Sequence, residues 1–118
     1  MTHTTIYHNP RCGTSRDALQ LIREAGVTPT IVEYLIRPPS RPVLVGLIAQ
    51  AGLTPREAIR DKEPLFTELG LDAPGITDEQ LIDAMIENPV LINRPFVVTP
   101  AGTRLCRPAS VVKEILPK

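Results

Sequence analysis

Tyr7-His8-Asn9-Pro10-Arg11-Cys12-Gly13-Thr14-Ser15-Arg16 is the stretch on which the fold turns. Ahead of it, Thr4-Thr5-Ile6-Tyr7 has the β-branched and aromatic content of a short strand. Behind it, Ala18, Leu21, Ile22 and Ala25 recur at helical spacing, and Gly26 marks a C-terminal stop. Cys12 therefore falls where a strand turns into a helix. The unsatisfied N–H groups of a first helical turn and the positive end of the macrodipole both favour negative charge there. A thiolate is such a charge, and so is an oxyanion held beside it. An ordinary thiol has a pKa near ~8.5, and helix N-termini and nearby cations lower it. His8, Arg11 and Arg16 are the neighbouring candidates to help. Glycine, proline and two arginines around Cys12 do not resemble the packing of an inert buried cysteine.

Cys12-Gly13-Thr14-Ser15 is a Cys-x-x-Cys arrangement with serine in the second position, so an internal resolving thiol is missing. An adduct on Cys12 must then be resolved by an outside thiol or by Cys106. A phosphatase-type loop would need arginine six residues after the cysteine, where this chain has Ala18.

The 118 residues suit one domain with a modest core. Thirteen basic and thirteen acidic side chains cancel, so no global field invites nucleic acid or an anionic membrane. Ten of the basic residues are arginine, whose planar fork suits oxyanions. Two cysteines make no secreted disulfide framework, and no apolar run is long enough to span a bilayer. The expectation is a soluble cytoplasmic protein.

Thr30-Ile31-Val32-Glu33-Tyr34 reads as a second strand, and strand–helix–strand implies a right-handed parallel crossover. Ser40 is a natural N-cap for a helix carrying Leu44, Leu47, Ile48 and Ala51 and ending at Gly52. Thr54-Pro55-Arg56-Glu57 is a capping box, predicting a short helix through Ile59 to about Arg60. A helical piece from Pro64 to Leu69 stops at Gly70, and Thr77-Asp78-Glu79-Gln80 caps a helix with Leu81, Ile82, Met85 and Ile86 inward. Phe96-Val97-Val98 and Thr103-Arg104-Leu105-Cys106 flank a Pro100-Ala101-Gly102 hairpin turn, and Val111, Val112 and Ile115 form a final helix. The sequence thus predicts a single domain over 1–118 with a helical insertion at about 40–88.

The run His8-Asn9-Pro10-Arg11-Cys12-Gly13-Thr14-Ser15-Arg16 closely resembles the active-site signature of the glutaredoxin-coupled arsenate reductases. So do Leu91-Ile92-Asn93-Arg94-Pro95, then Val97-Val98-Thr99-Pro100 and Gly102-Thr103-Arg104-Leu105-Cys106-Arg107-Pro108. The resemblance spans essentially the whole chain. It implies an α/β thioredoxin-like fold with a four-stranded mixed sheet, interrupted by the helical insertion between its two α/β halves. It further implies Cys12 as nucleophile, Arg60, Arg94 and Arg107 as the oxyanion-binding set, and Pro95 as a cis proline facing the cysteine. The resemblance gives His8 the role of electrostatic partner of Cys12, while its place at a strand end equally suits a satisfied structural histidine. Ser15 is a candidate to hydrogen-bond the thiolate, to cap the helix, or both. Cys106 reads as a small buried hydrophobe that becomes a resolving thiol only within disulfide reach of Cys12. Asp61 is expected to pair with Arg60 or Arg56, Arg104 to face solvent, and His3 gets no role. No Cys/His spacing suggests a metal.

The expected activity is reduction of arsenate to arsenite, with arsenate, glutathione and glutaredoxin as substrate, cosubstrate and partner, in arsenic detoxification. No bound cofactor is expected, and neither nucleic acid nor membrane is a partner. Two other classes stay open. Spx-type regulators share this fold and dock on RNA polymerase, and monothiol glutaredoxins carry a Cys-Gly-Phe-Ser similar to Cys12-Gly13-Thr14-Ser15. The best-known plasmid-borne arsenate reductases continue past the final helix, whereas this sequence stops at Lys118. A different preferred donor or slower turnover is the expectation if that tail shields the site.

Overall fold

The structure, a computed structural model, describes residues 3–117, so Lys118 lies outside them. The chain forms two compact units, one from the described parts of Met1–Arg37 and Arg94–Lys118, the other Pro38–Asn93.

The first unit holds four strands, β1 (Thr5–His8), β2 (Thr30–Glu33), β3 (Phe96–Thr99) and β4 (Gly102–Leu105), with helix α1 (Gly13–Glu24). Their spatial order is β2-β1-β3-β4. β1 pairs parallel with β2, placing Ile6 opposite Ile31, and antiparallel with β3, placing Ile6 opposite Val97. β3 and β4 form the predicted hairpin, closed by the Thr99–Gly102 pair. A parallel pair needs a crossover, and α1 supplies it. This mixed sheet with its helices is the thioredoxin-like arrangement.

Ile6 and His8 of β1 are buried while Thr5 and Tyr7 are half-buried, the two-residue alternation of a strand covered mainly on one face. Ile6, Ala18, Leu19, Ile22, Val97, Cys106, Val112 and Ile115 pack into one cluster beneath that face. Leu19 joins it although the helical spacing points to Leu21, which is only partly buried. The Gly26 N–H bonds to Arg23 O and the Val27 N–H to Ile22 O, with Gly26 at φ 82°. This Schellman ending needs a left-handed residue, which glycine supplies without a Cβ clash.

The final segment, Ala109–Ile115, is a 3-10 helix rather than an α-helix. Residues three apart eclipse one another in that geometry, and Val112 and Ile115 are the pair it buries. The Thr99 hydroxyl donates to Ile115 O at 2.7 Å, tying its end to β3.

The second unit contains α2 (Arg41–Gln50), α3 (Pro55–Ala58), α4 (Pro64–Glu68), α5 (Asp78–Glu87) and a 3-10 turn at Pro89–Leu91. Thr54 and Thr77 head full capping boxes with Glu57 and Gln80. Leu44, Leu47 and Ile48 of α2 and Leu81, Ile82 and Met85 of α5 are buried, and Ala84 joins them. Ile86 is only partly buried. Arg41 ties α2 to α5 by bonds to Glu79 at 2.6 Å and Asp83 at 2.5 Å.

α3 ends at Ala58, short of the expected Arg60. Ile59 is extended, with ψ 144°, and bridges antiparallel to Ile92. Arg60 N donates to Leu91 O at 2.7 Å and Asn93 N to Ala58 O at 2.9 Å. These non-local backbone bonds satisfy groups that another helical turn would have used. Among the described residues no helix is long and apolar enough to cross a membrane.

Candidate active site

β1 ends at His8, and the chain then folds into a loop held by its own backbone. Asn9 Oδ1 accepts from the Arg11 N–H at 3.0 Å, an Asx-type turn, and the Cys12 N–H donates to Asn9 O at 3.0 Å. Arg16 reaches back along the outside to donate to Pro10 O at 2.9 Å. Cys12 is the N-cap residue, with extended backbone at φ −94° and ψ 120°. Its carbonyl accepts from the Arg16 N–H at 3.0 Å, the first intrahelical bond.

No side chain caps α1 with a full hydrogen bond. The sulfur instead stands where an N-cap oxygen would be, near the Ser15 N–H. Burial pushes the Cys12 thiol up, but the Ser15 N–H and the guanidinium groups of Arg94 and Arg107 outweigh it, leaving the pKa below the usual thiol value. Arg107 Nη1 is 3.8 Å from Cys12 Sγ and donates to Arg94 O at 2.9 Å. Arg94 is itself 9% exposed. The β3–β4 hairpin explains how two arginines thirteen positions apart reach one thiol. Arg94 lies just before β3 and Arg107 just after β4, and antiparallel pairing brings those ends together. The Arg94–Pro95 and Arg107–Pro108 bonds are both cis.

Ser15 is fully buried, and its hydroxyl is occupied elsewhere. His8 Nδ1 is 2.6 Å from Ser15 Oγ, and the Asn9 N–H donates to the same oxygen at 3.1 Å. The serine therefore addresses the thiol through its backbone N–H, and its side chain fastens the loop to the end of β1. Burial lowers the His8 pKa, with Arg23 and Arg16 adding to the effect against an opposing Glu33. Burial thus favours the neutral imidazole, and its Nδ1 is hydrogen-bonded to the Ser15 hydroxyl. The structure places His8 Nδ1 against the Ser15 hydroxyl, as a structural histidine at the end of β1 would be held.

Arg60 belongs to the second unit, where its Nε lies 3.7 Å from Glu63 Oε2. Glu63, three residues along, is the partner rather than Asp61. Arg56 donates to Ile76 O at 3.5 Å. Arg104 is not simply solvated, since its Nε pairs with Glu114 Oε1 at 3.2 Å. His3 hydrogen-bonds the Thr30 hydroxyl. Cys106 is fully buried and free, and burial and Glu114 push its thiol up to about 12 against an opposing Arg104. It packs as the expected small hydrophobe.

A cysteine of lowered pKa at a helix N-terminus, with serine in place of a second cysteine and two arginines near the sulfur, sits in a thioredoxin-like fold. The ArsC family model matches residues 7–115. An arsenate reductase of Rhizobium meliloti is 65% identical over 96% of this chain and 81% of its own length. That of Escherichia coli K12 is 56% identical over 99% of this chain and 83% of its own. Among solved structures, an arsenate reductase from Vibrio cholerae superposes with a TM-score of 0.92 at 41% identity, covering 98% of each chain. The chain belongs to the ArsC family.

Proposed function

We propose that this protein reduces arsenate to arsenite with Cys12 as its nucleophile, in the service of arsenic resistance. Relatives named arsenate reductase at 56% and 65% identity support the reaction. The observation that carries the site assignment is the Arg107 guanidinium 3.8 Å from a thiol already biased toward its anion.

Arsenate is a tetrahedral oxyanion, and attack by sulfur places further negative charge on its oxygens. Arg94 and Arg107 offer fixed donors beside the sulfur, and Arg60 is the third member of the set by family resemblance. Preorganised donors of this kind stabilise charge as it develops and are each worth about 10²–10³-fold in rate. An As–S bond forms, an As–O bond breaks, and the departing oxygen leaves as water. Two electrons must then reach arsenic. Cys106 is buried and strongly protonated, so it is a poor resolving thiol. The electrons are assigned to outside thiols: glutathione adds to arsenic, glutaredoxin takes the glutathionyl group, and arsenite is released. The paired arginines give this reading its advantage over a polymerase-docking regulator or a monothiol glutaredoxin, neither of which needs an oxyanion cradle.

The test is arsenite formation under alternative donors, read by arsenic speciation. Turnover with glutathione plus glutaredoxin, and none with thioredoxin, is expected. Turnover with thioredoxin alone would replace the donor assignment. No arsenite from folded protein under any donor would overturn the reading.

A further inference from the structure

Above the C-terminal ends of the parallel strands β1 and β2 lies a groove of about 280 Å³. Asn9, Pro10 and Arg11 of the nucleophile loop form one wall, and Glu33, Leu35 and Ile36 form the other. A second hollow, about 410 Å³, is lined by Ile31, Glu33, Ile36 and Arg37, so Glu33 and Ile36 border both. The two lie near the lower end of the size of small-molecule sites, roughly 300–1,000 Å³. Their position follows the general preference of α/β sheets for ligands beyond the carboxyl ends of parallel strands.

The lining has an unusual mixture of chemistry. Ile36 is 74% exposed and Leu35 43% exposed, beside two arginines and one glutamate. Among the described residues, none of Arg11, Arg37 and Glu33 forms an ion pair with another side chain. His8 also lines the groove, with its Nδ1 held by the Ser15 hydroxyl. The loop wall is joined directly to the nucleophile by the Cys12 N–H to Asn9 O bond.

We propose that this groove is the glutathione subsite of the enzyme, holding the tripeptide so that its sulfur meets arsenic on Cys12. The inference rests on the glutathione-coupled reading above and adds where that cosubstrate sits. Glutathione is a short peptide with two carboxylates and one ammonium group. Arg11 and Arg37 match the carboxylates, Glu33 matches the ammonium, and Leu35 and Ile36 cover the peptide stem. Guanidinium–carboxylate pairs supply the orientation. In the step served, the glutathione thiol forms an S–As bond on the Cys12 adduct. An arsenic hydroxyl takes the thiol proton and leaves as water, and arsenic keeps its oxidation state.

The experiment titrates isotopically labelled protein with S-methylglutathione, which binds but cannot react, and follows backbone amide shifts. Shifts concentrated at Arg11 and across Leu35–Arg37 are expected. Arg37→Glu and Arg11→Glu should each weaken that binding at least ten-fold, and Arg37→Glu should raise the KM for glutathione similarly, with the KM for arsenate unchanged. Shifts elsewhere, unaltered binding in both variants, or shifts induced by glutaredoxin but not by S-methylglutathione would overturn the subsite. The binding measurement needs no turnover. A protein inactive with every donor that still binds S-methylglutathione here would refute the reductase reading and leave the groove standing.

Discussion

Arg107 Nη1 stands between Cys12 Sγ, at 3.8 Å, and Arg94 O, at 2.9 Å. One guanidinium thus braces the end of the β3–β4 hairpin and presents positive charge to the Cys12 sulfur. Its placement links the sheet topology directly to the chemistry of the thiol.

Arg107→Ala should therefore act at two levels. The Cys12 pKa, now lowered by the Ser15 N–H, Arg94 and Arg107 against burial, should rise toward the ordinary thiol value. The pH midpoint of iodoacetamide alkylation reports this directly. kcat/KM for arsenate should fall about 10²-fold, the loss typical of one transition-state donor. An unmoved alkylation midpoint with unchanged kcat/KM would remove Arg107 from the site.

His8 gives a pH dependence of stability. Burial lowers its pKa, so as pH falls the unfolded chain takes up the proton before the folded one does. Stability linked to the neutral ring is complete above about 6.5, the unfolded value, and declines as pH drops through the lower folded one. Urea unfolding midpoints between pH 8 and 5 should fall more steeply in the native protein than in His8→Asn. Parallel curves for the two proteins would contradict the neutral, Ser15-bonded imidazole.

The two cysteines should separate cleanly. At pH 8 alkylation of the folded protein should modify Cys12 and spare Cys106, whose thiol is fully buried and pushed up to about 12. Cys106→Ala should keep reductase turnover and lose about 1 kcal/mol of stability, the centre of the range for single substitutions. Turnover abolished in a folded Cys106→Ala protein would restore it as a resolving thiol.

In the second unit, Arg60 and Glu63 form a partly exposed pair at 3.7 Å, a geometry that contributes little to stability. If Arg60 serves arsenate, Arg60→Ala should lower kcat/KM by about 10²-fold, while Glu63→Ala should leave the unfolding midpoint nearly unchanged. Full activity in Arg60→Ala would reduce the oxyanion set to Arg94 and Arg107.

Local signals carried most of the fold. The β-branched run before Cys12, the caps at Ser40, Thr54 and Thr77, and the stops at Gly26 and Gly52 are short-range features, and each marks the element end it predicts. What local pattern missed was set by distant partners. Ile59 leaves the helix because Ile92 offers a backbone bridge, and the last segment tightens to a 3-10 helix whose end is bound to Thr99. The place of Cys12 at a strand-to-helix turn was legible from its neighbours. That Arg94 and Arg107 come near Cys12 was suggested only by family resemblance, since no spacing rule connects positions 94 and 107 before the hairpin is known. The His8–Ser15 bond was hidden for the same reason, because a loop must fold before residues seven apart can meet.

The most direct test of the account is arsenate turnover by Cys12→Ser beside the native protein, with glutathione, glutaredoxin and glutathione reductase present and NADPH oxidation recorded. Cys12→Ser should still bind arsenate but show no turnover above background and form no covalent arsenic adduct by mass spectrometry, while the native protein binds arsenate, turns it over and forms the adduct. Reductase activity in Cys12→Ser would contradict the central claim that the Cys12 thiolate attacks arsenic.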